Sequence, residues 1–548
     1  MSLRLPEGGL TANTLIVLVA AFVAAFGNQA FVSAVLKAYP VDGAHILPLL
    51  SLIIVYGGAT VLLLAALCVA RAAKLVLILV LLLSSLAAYF MDSYGVVISD
   101  EMLQNAAQTD VAEAQDLLSL KMLLYVAVLG IAPALLVART PMRWRGLRTE
   151  VLARLKLAGG TLVAVAVVVL AFGSFYASFF REYKAVRAYA NPIQYSYAAF
   201  RYARHRLLPE VDAARMPLGT DARIAASDQH RELVIMVVGE TARADRFSLN
   251  GYARETNPEL RKAGAVSFTN VWACGTSTAV SVPCMFALDG ERGMRVGDAG
   301  RENLLDVLRH AGVNVLWRDN NSDSKGVALR VPYQNYRSPK LNPVCDIECR
   351  DEGMLSDLQR YIDAHPKGDI FVVLHQMGNH GPAYYRRYPE SFERFKPACR
   401  SDDLSRCSRE EIDNAYDNAI LYTDHFLGQA VALLERNNAH FETALFYVSD
   451  HGESLGEGGL YLHGLPRLIA PDTQVHVPLV MWFGPNNDDV DLPALARKRA
   501  TRFTHANVFH TVLGFLEIES AIYRPEMDIL QDARPQHARA TPREAIRR

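Results

Sequence analysis

The stretch Leu233-Val-Ile-Met-Val-Val238-Gly239-Glu240-Thr241 decides the fold of this chain. Its continuous apolar run predicts a strand that is buried on both faces, and a carboxylate follows directly after it. Four more short apolar runs, separated by helical stretches, follow at 313–317, 370–374, 444–448 and 477–482. This alternation predicts a soluble α/β domain with a largely parallel sheet covered by helices. In such sheets the ligand site lies beyond the carboxyl ends of the strands.

Acidic, imidazole and basic side chains follow the predicted strands and should meet at one edge of the sheet. They are Glu240, Lys325, His375, His380, Asp450, His451 and His463. Carboxylates and imidazoles suit Zn²⁺, so the sequence predicts a zinc site there. We expect His380 and His463 to serve as second-site ligands, phosphate donors or a general acid, and Lys325 to pair with phosphate. His375 lies close to its strand end and is expected to be structural.

A second stretch, Cys274-Gly-Thr-Ser-Thr-Ala-Val-Ser-Val-Pro-Cys284, carries four hydroxyl groups between two cysteines. A threonine hydroxyl is inert at neutral pH unless a base or a metal activates it. Zn²⁺ supplies that activation, because it stabilises an oxygen anion near neutral pH. We therefore expect Glu240, Asp450 and His451 to share a four-coordinate site with a hydroxyl of this loop. The spacing of the residues does not show which of the four hydroxyl groups binds the metal.

The first third of the chain is apolar and poor in charge. It contains five runs long enough to cross a bilayer as helices, at 13–36, 46–69, 75–93, 121–138 and 158–180. The first run is too long for a cleaved signal peptide, and more runs follow it. The sequence therefore predicts a multi-pass membrane domain of five transmembrane helices.

The charges of the connecting loops predict the orientation of these helices. The loops after the second and fourth runs are basic, which places them in the cytoplasm by the positive-inside rule. The loop between Asp92 and Asp116 holds six acidic residues and no Lys or Arg, so it should face outward. Five spans then place everything after Phe180 outside the cytoplasm.

The cysteines agree with an external catalytic domain. Six of the seven lie after residue 270, as the close pairs Cys274/Cys284, Cys345/Cys349 and Cys399/Cys407. An even number in an externalised domain predicts disulfides, and pairing of neighbours is the simplest arrangement. A thiolate metal site is the alternative, although the chain lacks a CxxC pair.

These observations divide the chain into four parts: a membrane domain at 1–180, bridging helices at 181–230, a catalytic domain at 231–532 and a basic, disordered tail at 533–548. The bridge is rich in Tyr and Arg, which suits either helices at the membrane interface or a plain amphipathic linker. The net charge of −1 gives no basic field that would favour a nucleic acid partner.

Several motifs stand out together: Gly239-Glu-Thr-Ala-Arg-Ala-Asp-Arg246, Cys274 to Phe286, Asp319-Asn-Asn-Ser-Asp-Ser-Lys-Gly326, Asn379-His-Gly-Pro382 and Ser449-Asp-His-Gly-Glu-Ser-Leu-Gly-Glu457. In combination they resemble the motifs of the bacterial phosphoethanolamine transferases, inner-membrane enzymes of the alkaline phosphatase superfamily that modify lipid A and confer polymyxin resistance. The resemblance covers nearly the whole chain, including the five spans and the three cysteine pairs. It implies an alkaline phosphatase-like fold for the soluble domain.

The resemblance also implies a role for each candidate residue. Thr278 would be the nucleophile, and Glu240, Asp450 and His451 would bind zinc beside it, as one or two ions. His380 and His463 would lie near a second metal or the substrate phosphate, which Thr276 and Lys325 would contact. Asn105 and Glu113 would contact a lipid headgroup, while Ser277 and Ser281 would be structural. The donor would be phosphatidylethanolamine, the acceptor lipid A, and the protein a monomer with a periplasmic catalytic domain.

Two alternatives remain open at this point, and a third is disfavoured. The same chemistry would act on another envelope acceptor, such as a core sugar, a periplasmic glucan or a protein, or would use a phosphoglycerol donor. A catalytically silent membrane protein that binds lipid or metal belongs to a different class. A sulfatase is disfavoured, because Ser281-Val-Pro-Cys-Met285 lacks the arginine of the sulfatase motif.

Overall fold

The computed structural model describes residues 9–39, 41–43, 45–68, 72–108, 117–207, 217–226, 228, 230–290 and 301–534. The chain forms two compact units. The first comprises Met1–Leu103 and Leu118–Ala203, and the second comprises Gln104–Leu117 and Arg204–Arg548. The predicted bridge at 181–230 is divided between them, and most of the predicted tail lies outside the described residues. The division into four parts stays a prediction.

The first unit is helical. Four of its described helices are long and apolar enough to cross a membrane, or five spans result if one bent pair counts as a single span. The helices that lie wholly or partly in this unit are Ala12–Phe26, Gln29–Ala38, Ile46–Leu67, Ala73–Tyr94, Asp100–Gln108, Leu120–Tyr125, the π-helical turn Val126–Ile131, Ala132–Arg139, Leu147–Ala171, Gly173–Glu182, Lys184–Arg187 and Ile193–Leu207. This confirms a multi-pass membrane protein with four to five apolar helices.

The first predicted span is not one continuous helix. Ala12–Phe26 and Gln29–Ala38 meet at an angle of 57°. At the break, Asn28 Nδ2 donates to the carbonyl oxygen of Val23 at 2.8 Å and to that of Asn191 at 2.7 Å. Asn191 Nδ2 donates in turn to the carbonyl oxygen of Gly27 at 2.8 Å. Side-chain amides therefore satisfy backbone groups that the interrupted helix leaves without partners.

The last predicted span, 158–180, is placed wrongly along the chain. The helix runs from Leu147 to Ala171 and a separate helix, Gly173–Glu182, follows it. Arg154 and Lys156, which the sequence analysis placed in a loop, lie within the long helix. Arg154 Nη1 donates to the carbonyl oxygen of Cys68 at 2.7 Å. The hydropathy pattern does not reveal that the helix begins at Leu147, because its first turns carry charged side chains.

The second unit is built on an eight-stranded sheet in the order β11-β3-β10-β7-β2-β6-β4-β5. The strands of this unit are β1 (Arg223–Ile224), β2 (Glu232–Gly239), β3 (Val266–Trp272), β4 (Asn314–Asp319), β5 (Tyr333–Asn335), β6 (Ile370–His375), β7 (Glu442–Ser449), β8 (Ser454–Leu455), β9 (Tyr461–Leu462), β10 (His476–Phe483), β11 (Phe503–Thr504) and β12 (Ile518–Glu519). Only β10 runs antiparallel to its neighbours in the eight-stranded sheet. The predicted α/β class and largely parallel sheet are confirmed.

Helices cover both faces of this sheet. Its helices are Pro258–Lys262, Thr278–Phe286, Leu304–His310, Leu358–Ala364, Arg409–Asn437, Leu492–Arg497 and Ala506–Phe515. On one face, Val234 and Met236 of β2 share a hydrophobic cluster with Leu305 and Phe509 of two of these helices. Every residue of β2 is buried, so the residues that alternate with these are covered on the opposite face. The central strands are thus held rigidly from both sides.

The strand β3, Val266–Trp272, does not belong to the five strands expected from the sequence. Four of its seven residues are only half-buried, and Ser267, Thr269 and Asn270 are polar, so it lacks the continuous apolar run that marks β2. It is nevertheless important, because β10 is antiparallel to both β3 and β7, and β3 therefore points in the same direction as β7. The loop that begins at Cys274 consequently leaves the sheet at the same edge as Asp450.

Three disulfides join Cys274 to Cys284, Cys345 to Cys349 and Cys399 to Cys407. Cys68 is a buried thiol in the first unit, which is called the membrane unit below, while the second unit is called the catalytic unit.

Candidate active site

The carboxyl edge of the sheet brings four of the predicted residues together. Glu240 follows β2, Asp450 and His451 follow β7, and Thr278 is the first residue of the helix Thr278–Phe286. Thr278 Oγ1 donates to Glu240 Oε2 at 3.1 Å. The Nε2 atom of His451 lies 3.3 Å from Glu240 Oε1 and 3.3 Å from Asp450 Oδ2. The hydroxyl, two carboxylates and one imidazole therefore form one compact, buried cluster.

Three atoms of this cluster have no hydrogen-bond partner in the part of the chain that the structure describes. They are Glu240 Oε1, Asp450 Oδ2 and His451 Nε2, all of which are inaccessible to solvent. One ligand atom from each residue lies within 4.8 Å of the others. Leaving such groups unpaired is costly, and a cation placed between them would satisfy all three. Two carboxylates and an imidazole are a donor set that fits Zn²⁺.

Protonation states at the cluster agree with this interpretation. Burial lowers the pKa of His451 to about 4, so its ring is neutral at neutral pH. His451 Nδ1 donates to the carbonyl oxygen of Gly452 at 2.9 Å, which leaves the lone pair of the ring on Nε2. Burial raises the pKa of Asp450 to about 6, and burial followed by the charge of Asp450 raises that of Glu240. A bound cation would offset this penalty on both carboxylates.

A second group of polar side chains adjoins the cluster. His463 Nδ1 lies 2.9 Å from Glu453 Oε2, and Tyr384 Oη donates to Glu453 Oε1 at 2.9 Å. The ring centroid of His463 lies 4.2 Å from that of His451 and 5.5 Å from that of His380. Glu453 was not among the predicted site residues, although it stands only two residues after His451. Glu453 orients His463 through the contact between Oε2 and Nδ1, and the sequence alone does not reveal this contact.

Lys325 and its loop approach the cluster through Asn321. Asn321 Nδ2 donates to Glu240 Oε2 at 2.8 Å and to the carbonyl oxygen of Gln376 at 2.6 Å. Lys325 is largely buried, and its ammonium donates to the carbonyl and hydroxyl oxygens of Ser322 at 2.9 Å and 2.7 Å. Asn321 is a further residue that the sequence analysis quoted within a motif without giving it a role.

The loop between Cys274 and Cys284 is fixed by contacts on several sides. Thr276 Oγ1 donates to the carbonyl oxygen of Leu465 at 2.7 Å, and the Ser281 hydroxyl accepts from Gly275 N at 3.2 Å. The backbone N–H of Cys274 donates to Nδ1 of His505 at 3.3 Å. His505 is fully buried and was not singled out from the sequence, since it lies 231 residues further along the chain.

Three predicted residues lie away from these contacts or outside the described residues. His375 Nδ1 lies 3.0 Å from Asp319 Oδ2 at the end of the neighbouring strand β4, and this buried pair holds two strand ends together. Asn105 is half-buried in the helix Asp100–Gln108. Glu113 lies outside the described residues.

Comparison with known proteins gives matches along nearly the whole chain. A family model described as phosphoethanolamine transferase EptA/EptB matches residues 58–207, and one described as sulfatase matches residues 232–518. The chain is 42% identical to phosphatidylethanolamine transferase Mcr-1 of Escherichia coli, over 85% of this chain and 89% of that protein. It is 36% identical to phosphoethanolamine transferase EptA of Escherichia coli K12, over 95% and 96%.

A solved structure matches nearly the whole chain. The integral membrane protein lipooligosaccharide phosphoethanolamine transferase A from Neisseria meningitidis matches with a TM-score of 0.92 and 33% identity, over 96% of this chain and 99% of that one. The match of the sulfatase model to residues 232–518 shows that the chain belongs to the alkaline phosphatase and sulfatase superfamily. The hydroxyl beside acidic and imidazole groups at the carboxyl edge of a largely parallel sheet agrees with this assignment. Within that superfamily, the chain belongs to the phosphoethanolamine transferase family.

Proposed function

We propose that this protein transfers phosphoethanolamine from phosphatidylethanolamine to a phosphate of lipid A and releases diacylglycerol. The observation that carries the proposal is the contact of Thr278 Oγ1 with Glu240 Oε2 at 3.1 Å, beside three buried ligand atoms that have no other described partner. Relatives that share most of the chain are named for phosphoethanolamine or phosphatidylethanolamine transfer. One more distant relative is named as a Kdo(2)-lipid A phosphoethanolamine transferase.

Glu240, Asp450, His451 and Thr278 would hold the zinc ion. When bound there, zinc lowers the pKa of the threonine hydroxyl and withdraws charge from a phosphoryl oxygen. A second ion would find ligands in Glu453 and His463 next to His451, whose ligand atoms also lie within 4.8 Å of one another. One or two ions are therefore compatible with the donor atoms of this site.

In the first half of the reaction, Thr278 Oγ1 gives its proton toward Glu240 Oε2 and attacks the phosphorus of the donor lipid. The new Thr278 O–P bond forms while the P–O bond to diacylglycerol breaks. His380 or His463 supplies a proton to the departing diacylglycerol oxygen. Thr278 begins its helix, so the partial positive charge of the helix N-terminus favours the negative charge that develops there.

In the second half, an oxygen of the lipid A phosphate attacks the phosphorus of the threonine adduct. The Thr278 O–P bond breaks, and the threonine oxygen takes up a proton again. Thr276 and Lys325 would contact the phosphate, and both are almost completely buried at the site. Asn105 and Glu113 would bind the ethanolamine headgroup, because a carboxylate attracts an ammonium group.

The proposed location is the bacterial inner membrane, with the catalytic unit in the periplasm and the protein acting as a monomer. The six paired cysteines suit that oxidising compartment. Anchoring by several apolar helices keeps the enzyme in the plane of both lipids, which raises the effective concentration of donor and acceptor.

Mass spectrometry of lipid A tests the proposal directly. Cells that produce the wild-type protein should contain lipid A with added phosphoethanolamine, and the purified protein should carry the same adduct on the Thr278 peptide. Thr278→Ala should abolish both signals. Ser277→Ala is the matched control, because it removes the adjacent buried hydroxyl and should leave both signals in place.

Other outcomes would contradict parts of the proposal. Full lipid A modification by Thr278→Ala would exclude this nucleophile. An adduct on Thr278 without modified lipid A would point to another acceptor, and an adduct with the mass of phosphoglycerol would point to another donor. A wild-type protein that binds no zinc and does not turn over a fluorescent lipid donor would be catalytically silent.

A further inference from the structure

The opposite edge of the same sheet carries a second acidic cluster. Glu232 is the first residue of β2, Glu442 is the first residue of β7, and Asp369 directly precedes β6. In the parallel pairing, Glu232 stands beside Glu442, and Leu233 stands beside Ile370. The amino ends of three neighbouring strands therefore each carry a carboxylate at or just before the first residue. At about 3.3 Å per residue, the eight positions from Glu232 to Glu240 separate this cluster from the candidate active site by about 26 Å.

The carboxylates lie close enough to share an ion. One oxygen from each of Asp228, Glu232 and Asp369 lies within 4.8 Å of the others. Glu232, Glu442 and Asp489 form a second such group, so Glu232 belongs to both. The two groups together place four further carboxylates around the buried side chain of Glu232.

Two of these side chains are buried and have an oxygen without a partner. Glu232 is 1% exposed and Asp369 is 2% exposed. Within the described residues, Glu232 Oε2 and Asp369 Oδ2 accept no hydrogen bond and are inaccessible to solvent. The other oxygen of Asp369 accepts from the backbone N–H of Glu232 at 3.2 Å. The two carboxyl groups also lie within hydrogen-bond distance of each other, so either a shared proton or a bound cation is needed between their oxygens.

Nearby cations make their hydrogen bonds with other groups, although the charge of Arg231 opposes the burial that raises the pKa of Asp369. The Arg231 guanidinium donates to the carbonyl oxygens of Gly368 and His365 and lies over the ring of Phe441 at 4.4 Å. His230 pairs with Glu442 at 3.1 Å, but its side chain is 63% exposed. Burial and then the charges of Asp369 and Asp228 raise the pKa of Glu232 to about 11. Repulsion at this edge therefore needs a bound cation or protons to relieve it.

We propose that Asp228, Glu232, Asp369, Glu442 and Asp489 form a binding site for a hard divalent cation of the Ca²⁺ type, separate from the active site. An all-carboxylate donor set suits Ca²⁺, which takes six to eight oxygen ligands, better than it suits the nitrogen-preferring transition metals. The ion would tie together the amino ends of three strands whose carboxyl ends carry Glu240, His375 and Asp450. Its role is to stabilise the catalytic unit, and it takes no part in the transfer reaction.

The test uses the full-length, zinc-loaded protein in detergent, with radioactive ⁴⁵Ca²⁺ in equilibrium dialysis and thermal unfolding with and without Ca²⁺. The wild type should bind one Ca²⁺ per chain at about 1 mM, the range of extracellular calcium modules, and its Tm should rise by about 3 °C. The double variant Glu232→Gln/Asp369→Asn should bind at least about tenfold more weakly. Without Ca²⁺ its Tm should exceed that of the wild type, because two buried acids have become amides.

Two control variants make the outcome decisive. Glu435→Gln makes the same carboxylate-to-amide change on an exposed helix surface and should retain wild-type Ca²⁺ binding. Glu240→Gln alters the active site and should also retain it. The proposal is overturned if the wild type binds no Ca²⁺, which would leave shared protons as the compensation. It is equally overturned if the double variant binds as the wild type does, or if Glu240→Gln alone abolishes binding.

Discussion

His505 donates a hydrogen bond from its ring Nε2 to the carbonyl oxygen of Ser449 at 2.9 Å. Its other ring nitrogen accepts the N–H of Cys274. Since a carbonyl oxygen can only accept, the ring is neutral and carries its proton on Nε2, in agreement with burial that lowers its pKa to about 3. One buried ring therefore connects the start of the Thr278 loop to the residue that precedes Asp450.

From this contact we expect His505 to be a positioning residue. His505→Ala removes both hydrogen bonds and should lower the free energy of unfolding by about 2–4 kcal/mol. It should also lower kcat by about 10–100-fold with little change in KM, because the loop that carries Thr278 is no longer held in a fixed position relative to Asp450. Both values are measured with a fluorescent lipid donor, well below the melting temperature.

His510→Ala is the control for this prediction. His510 is equally buried on the adjoining helix and accepts from the backbone N–H of Arg524 at 3.2 Å, whereas His505 bonds to Cys274 and Ser449. This variant should lose stability and retain kcat. If both variants lose kcat equally at a temperature where both are folded, His505 contributes to stability alone.

The disulfide beside the nucleophile should affect activity more than a comparable disulfide elsewhere. Cys274 and Cys284 are 10 residues apart, and Cys399 and Cys407 are 8 apart. Loop-closure entropy predicts a loss of about 3 kcal/mol for either double Cys→Ser variant. Only the Cys274/Cys284 variant should also lower kcat, because it releases the loop that holds Thr278. Equal kcat values in the two variants, with equal losses of stability, would contradict this.

The stability of the catalytic unit should depend on pH through Asp424. This carboxylate accepts from the N–H groups of Glu259 at 2.7 Å and Leu260 at 3.1 Å, and burial raises its pKa to about 7. Between its unfolded value of about 4 and this folded value, the native state binds the extra proton, so stability falls as the pH rises. The fall is about 1.4 kcal/mol per pH unit and reaches up to about 4 kcal/mol above pH 7.

Melting temperatures between pH 5 and pH 8 test this dependence. Asp424→Asn should flatten the decline, since the amide oxygen still accepts a backbone hydrogen bond and carries no charge. Glu435→Gln, a substitution on an exposed surface, should follow the wild-type curve. A decline in Asp424→Asn as steep as that of the wild type would assign the pH dependence to other groups.

The parts of the fold that sequence could predict are those with a local signal. Continuous apolar runs marked β2, β4, β6, β7 and β10, because a strand buried on both faces has no polar positions. The strand β3 has Thr269 and Asn270 at half-buried positions, and its pattern resembles an ordinary loop or surface strand. The helix Leu147–Ala171 begins with charged residues, so hydropathy located only its second half.

The residues of the candidate site also divide into those with a local sequence signal and those without one. Glu240, Asp450 and His451 directly follow predicted strands, and the parallel sheet brings such positions together whatever the details of packing. Asn321, Glu453 and His505 act through contacts with residues from other parts of the chain. The separation of 231 residues between Cys274 and His505 shows why a single sequence does not reveal them. Family resemblance singled out Thr278 among four hydroxyls, since its neighbours have the same chemistry.

The paired amides of Asn28 and Asn191 set an order for the biosynthesis of the membrane unit. The ribosome adds Asn191 163 residues after its partner Asn28. Until then the broken turn at Gly27 lacks the amide that satisfies its carbonyl oxygen in the finished protein. The first apolar segment therefore gains its bonds to Asn191 only after the helices between them have been synthesised.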